Sequence, residues 1–89
     1  MAWRIEYDED AEKDLAKLDR PVVQRILKFM GQRVAALENP RSMGEALKGS
    51  KLGDFWKYRV GDYRIIAEIQ DKVVCVYVVA IGDRKQIYR

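Results

Sequence analysis

Lys57, Arg59 and Arg64 stand on either side of Gly61-Asp62, and their spacing controls whether they can act together. Phe55–Val60 and Tyr63–Ile69 each alternate as strands do, and Gly61-Asp62 suits a two-residue hairpin turn. Such a turn sets Val60 opposite Tyr63, Arg59 opposite Arg64, Tyr58 opposite Ile65 and Lys57 opposite Ile66. Residues directly opposite on paired strands project to the same face. One face then carries Trp56, Tyr58, Val60, Tyr63, Ile65 and Ala67, a candidate core. The other carries Phe55, Lys57, Arg59, Arg64 and Ile66. The deduction holds for any even loop length and fails for an odd one.

Like charges placed opposite one another destabilise a sheet. Two readings of the cluster follow. Long side chains can splay into water, with Glu68 or Asp62 as counter-charge. Alternatively the face is an anion site. The aromatic residues that anchor the strand from the core side, and the apolar Ile66 among the cations, favour the anion site.

The chemistry open to such a site is narrow. The sequence contains no His and one Cys, so the commonest general base and the usual metal ligand sets are missing. Ser42 and Ser50 have no neighbouring base to activate them. Glu6, Asp8, Glu9 and Asp10 are explained by a helix start. RNA cleavage requires none of these groups, because the substrate's own 2′-hydroxyl is the nucleophile. Positioning and charge stabilisation then supply most of the rate. Arg offers a planar fork for phosphate oxygens and Lys a compact point charge. Tyr88, between Lys85 and Arg89, can stack on a base or ionise beside cations, or else pack over the sheet edge.

The elements that must hold these groups are legible from periodicity. Trp3–Tyr7 alternates as a strand. Asp8 suits an N-cap, with Glu9, Asp10 and Glu12 in the first turn and Ala11, Leu15 and Leu18 on one face. After Asp19-Arg20-Pro21, the stripe Val23, Ile26, Leu27, Met30, Val34 and Leu37 predicts a second helix that ends at Asn39-Pro40. Residues 40–54 read as a connector with a weak helical turn around Ser42–Leu47. Lys48 and Lys51 stand in it among small residues. A turn at Gln70-Asp71 or Asp71-Lys72 leads to Val73–Ile81, a nearly continuous apolar strand expected to be central and covered on both faces. Gly82-Asp83 is expected to break it, leaving a basic tail. The order β-α-α-β-β-β predicts a single α+β domain over residues 1–89: a mainly antiparallel, twisted sheet with an N-terminal helical hairpin on one face.

Composition agrees with an ordinary globular domain, 48% hydrophobic and 35% charged. Net charge is +3, unevenly spread: residues 1–20 hold 4 basic and 7 acidic side chains, and the excess of cations lies beyond them. That asymmetry favours an anionic partner. Cys75 sits in the apolar run and is expected to be a buried thiol in a reducing, cytoplasmic setting. The early charges lack the pattern of a signal peptide, and no apolar run reaches membrane-spanning length.

Three stretches carry a resemblance. Ala46-Leu47-Lys48-Gly49, Phe55-Trp56-Lys57-Tyr58-Arg59-Val60-Gly61-Asp62-Tyr63-Arg64-Ile65-Ile66 and Ile81-Gly82-Asp83-Arg84-Lys85-Gln86-Ile87-Tyr88-Arg89 resemble the RelE branch of the RelE/ParE toxin superfamily. The likeness extends over the two helices and covers nearly the whole chain. It implies a RelE-like fold, also seen in microbial RNases, and a bacterial or archaeal toxin of a type II toxin–antitoxin system. Such a toxin enters the ribosomal A site and cuts the mRNA there without a cofactor or metal, leaving a 2′,3′-cyclic phosphate. The resemblance also implies a RelB-like antitoxin, contact with ribosomal RNA and no membrane. By position, Lys57, Arg59, Arg64, Arg84 and Tyr88 correspond to the catalytic set. Lys48 falls on a basic position that touches ribosomal RNA, and Lys51, Lys85 and Arg89 are further candidates for RNA contact. Arg59 replaces a lysine of RelE, and Asp83 stands where many relatives have His. Lys57 and an ionised Tyr88 are the two candidates for general base. A ParE-like toxin that binds gyrase, and a non-catalytic RNA-binding module, are the other readings.

Overall fold

Asp8 ends the first strand and starts the first helix, as its position predicts. The computed structural model describes residues 2–47 and 55–83. In it β1 (Arg4–Tyr7) runs into Asp8, whose carboxylate accepts from the Asp10 N–H and caps α1 (Glu9–Ala16). Glu9, Asp10 and Glu12 lie in the first turn, where the helix dipole favours negative charge. Ala11 is fully buried, and Leu15 and Leu18 pack against the core.

The second helix begins at Asp19 with Pro21 in its first turn and continues as α2 (Arg20–Lys28). It then widens into a π-helical segment, Phe29–Val34. This corrects the predicted stripe. Ile26, Met30 and Val34 are buried as expected, with Val22 and Phe29 packed beside them, but Leu27 is 41% exposed. The wider i→i+5 turns keep residues four apart in line beneath the sheet. The buried row runs Val22, Ile26, Met30, Val34, and Leu27, in the α-helical part, falls to one side of it.

The connector also differs from its prediction. No helical turn spans Ser42–Leu47: a short 3-10 turn covers Pro40–Ser42, and β2 (Glu45–Ala46) follows as a two-residue strand. Beyond it lie β3 (Phe55–Val60), β4 (Tyr63–Gln70) and β5 (Cys75–Asp83). The sheet order is β1-β5-β4-β3-β2, with β1 parallel to β5 and the other neighbours antiparallel. Between β4 and β5 the chain turns through a 3-10 segment at Asp71–Val73, and Val74 adopts a positive φ of 51°. β5 accordingly starts later than predicted and runs through Gly82 to Asp83, the last residue described.

β5 is interior to the sheet, and a bulge interrupts its ladder: Ile66 pairs with Ala80 but Ala67 with Val78. The extra residue, Val79, shifts the alternation, so that Val76, Val78 and Ile81 all reach the core. β5 is less completely covered than its composition suggested, since Tyr77, Val79 and Ala80 are only half-buried. Past Val78 its outer edge has no strand partner among the described residues. There the Asp14 carboxylate of α1 accepts from the Ile81 N–H at 2.9 Å; within the paired part, Tyr77 donates to Asp8 at 2.6 Å. The single cysteine, Cys75, is buried, and burial pushes its thiol up.

Candidate active site: a cationic cleft on the β3–β4 hairpin

The hairpin register is the predicted one at every position: Val60 opposite Tyr63, Arg59 opposite Arg64, Tyr58 opposite Ile65, Lys57 opposite Ile66. Tyr58, Val60, Ile65 and Ala67 are buried in the core, with Trp56 and Tyr63 packed against it. On the other face Lys57, Arg59 and Arg64, with Gly44, Glu45 and the stretch of β3 at Tyr58 between the cations, line a cleft of about 280 Å³. Three cations therefore meet in one concavity.

The face is not simply solvated. Ile66 is 6% exposed and Arg64 only 7%, while Arg59 stands out in water. The Arg64 guanidinium makes one hydrogen bond among the described residues, to the Tyr63 carbonyl at 3.5 Å, the outer limit of such contacts. Neither it nor Arg59 has a carboxylate partner among those residues. Gly82 lies directly across from Arg64 on β5, so no side chain crowds the guanidinium from that position. A nearly buried guanidinium with most of its donors uncommitted among the described residues is suited to an anion brought from outside.

Lys57 differs. Its side chain is 16% exposed, and its Nζ lies 3.0 Å from the Glu45 carboxylate. Neither Glu68 nor Asp62 is the counter-charge: Glu68 accepts from Gln70 instead, at 2.6 Å. Glu45 was missed in the sequence because the connector gave no strand signal. A two-residue strand has too few positions to show alternation.

Several contacts deliver this segment to the cleft. The buried Tyr58 hydroxyl donates to the Pro40 carbonyl, and the Trp56 indole to the Met43 carbonyl, each at 2.6 Å. Arg41 grips Asp71 through both guanidinium nitrogens at 3.0 and 2.9 Å, which lowers the Asp71 carboxyl below its usual range. Gly44 has a φ of +79°, and a Cβ there would collide with the Lys57 carbonyl. Only glycine lets the chain pass so close and turn into β2.

The model of the family described as the ParE toxin of type II toxin-antitoxin system, parDE, matches residues 5–88 of this chain. The mRNA interferase toxin RelE of Escherichia coli is 31% identical over 86 residues, spanning 97% of this chain and 87% of that protein. The chain belongs to the RelE/ParE family of type II toxins. A chain of the intact E. coli RelBE toxin–antitoxin complex matches the fold with a TM-score of 0.72 at 30% identity, over 92% of this chain and 96% of that one. The RelBE2 toxin–antitoxin complex of Mycobacterium tuberculosis matches at 0.83 and 21% identity, over 94% and 93%, a likeness of fold.

Within this RelE-family toxin, Lys57, Arg59 and Arg64 are the members of the expected set that come together in the cleft. Arg84 and Tyr88 lie outside the described residues, as do Lys48, Lys51, Lys85 and Arg89. Among the described residues no group of three or more His, Cys, Asp or Glu is gathered to hold a metal ion, and no helix is long and apolar enough to cross a membrane.

Proposed function

We propose that this toxin is an endoribonuclease that cleaves mRNA in the ribosomal A site and so stops translation. The observation that carries the reading is the pairing of Arg59 with a nearly buried Arg64 beside Lys57 in one cleft. Like charges are not gathered at such close quarters without cost, and a scissile phosphate would offset it. In the reaction the 2′-oxygen attacks phosphorus, the 5′-oxygen departs and takes up a proton, and a 2′,3′-cyclic phosphate remains. Arg59 and Arg64 hold the phosphate oxygens. Lys57, whose Nζ lies 3.0 Å from the Glu45 carboxylate, serves as a point charge rather than as a proton acceptor. Arg84, which follows β5 directly in the chain, steadies the leaving oxygen, and Tyr88 stacks on or deprotonates the substrate. The chemistry requires no metal, since the nucleophile belongs to the RNA. Lys48, Lys51, Lys85 and Arg89 contact RNA of the ribosome, and a RelB-like antitoxin restrains the toxin in the cytoplasm.

A second reading has one observation in its favour: the matching family model is described by ParE toxins. A ParE-like toxin would inhibit gyrase by protein contact and leave mRNA intact. A cleft of three cations serves a phosphate better than it serves a protein surface. Arg64→Ala and Arg84→Ala, each expressed without antitoxin, separate the readings. Both variants are expected to lose growth arrest and cut mRNA at least about 100-fold more slowly while remaining folded. Cleavage at the wild-type rate by both would remove the assigned roles.

A further inference from the structure

We infer that Glu45 is the resident anion of the cationic cleft, holding Lys57 until a substrate phosphate takes its place. The inference rests on reading the cleft as a phosphate site and adds how that site is kept when empty. Glu45 is directly across from Lys57 in the β2–β3 ladder, so the two side chains project to one face, and their charged ends are 3.0 Å apart. Among the described residues that line the cleft, Glu45 is the one carboxylate against Lys57, Arg59 and Arg64.

The fold places that carboxylate deliberately. Glu45 is 61% exposed and could drift into water if its backbone were loose. Instead Trp56 and Tyr58 tie down Met43 and Pro40, Gly44 makes the turn, and Leu47 donates to the Phe55 carbonyl at 3.0 Å. Each tie runs to β3, the strand that carries Lys57 and Arg59. The carboxylate and the cations are thus parts of one rigid unit.

Two opposed effects follow. In the empty toxin Glu45 offsets repulsion among the cations and steadies the hairpin. When RNA arrives, its phosphate must displace Glu45 from Lys57, so the same contact weakens substrate binding. Removing the charge should loosen the protein slightly and tighten anion binding. A side chain with a purely structural role would lower both when replaced.

Calorimetric titration with inorganic pyrophosphate at low salt, on the purified toxin, reads this directly. Glu45→Gln is expected to bind about two- to fivefold more tightly than wild type, the range of an ion pair at a partly exposed site. Glu45→Asp is expected to restore wild-type affinity, and Glu45→Gln made on a Lys57→Met background to change it by less than about twofold. With translated mRNA, Glu45→Gln should lower KM and leave kcat within about threefold. Unchanged or weaker pyrophosphate binding by Glu45→Gln, with wild type binding measurably, overturns this inference alone. A fall in kcat of about 100-fold or more would make Glu45 a proton acceptor and also overturn it. If wild type binds no pyrophosphate, the phosphate-site reading falls and takes this one with it.

Discussion

Single side chains in this toxin do two jobs at once, and Tyr58 shows how. Its ring is fully buried in the core, edge-on to Phe29, while its hydroxyl holds the Pro40 carbonyl and so the segment that carries Glu45. Burial pushes the Tyr58 phenol up to about 12, and Tyr7 likewise. A phenol whose pKa is raised on folding stabilises the fold fully below its unfolded value, near 10, and that contribution is lost as pH rises through the folded value. Alkaline loss of stability is therefore expected between about pH 10 and about pH 12. Tyr58→Phe should cost about 1 kcal/mol at neutral pH, from the unpaired Pro40 carbonyl, yet flatten that alkaline limb. Denaturant midpoints of both proteins from about pH 8 to about pH 12 check it. Parallel curves would show that Tyr58 does not contribute.

At the scale of elements, the shortest strand matters most to the cleft. β2 exists because Gly44 turns the chain against β3, so Gly44→Ala places a Cβ on the backbone oxygen of Lys57, which cannot yield as a side chain would. The substitution should destabilise the protein by more than about 1 kcal/mol in urea unfolding. A loss within a few tenths would mean that the turn tolerates a side chain. The hairpin of β3 and β4 was readable in advance because a two-residue turn fixes pairing, and pairing fixes which side chains share a face. Asp8 was readable because a cap needs one residue type at one position. The phase of α2 was not: nothing in Phe29–Val34 announces the wider turns that keep Met30 and Val34 in line, while Leu27 is left exposed beside Ile26. The bulge at Val79 was hidden for a similar reason, since an unbroken apolar run reads the same with or without an extra residue. Glu45 was hidden because only its partner strand makes it part of a sheet.

For the whole molecule, the sheet separates two tasks. One face receives the helices and forms the core, and the other presents Lys57, Arg59 and Arg64. The acidic first helix lies toward β1 and β5, at the far side of the sheet from β2 and β3, so its carboxylates are kept away from the cleft. Family membership sets the expectation of a toxin, and the cleft gives that expectation a chemical form. The most direct test is to map mRNA 3′ ends shortly after induction of wild type and of Arg64→Ala, with a gyrase supercoiling assay alongside. New 3′ ends within translated codons, present for wild type, absent for Arg64→Ala and accompanied by normal supercoiling, are the expected result. Intact mRNA with supercoiling lost would contradict it.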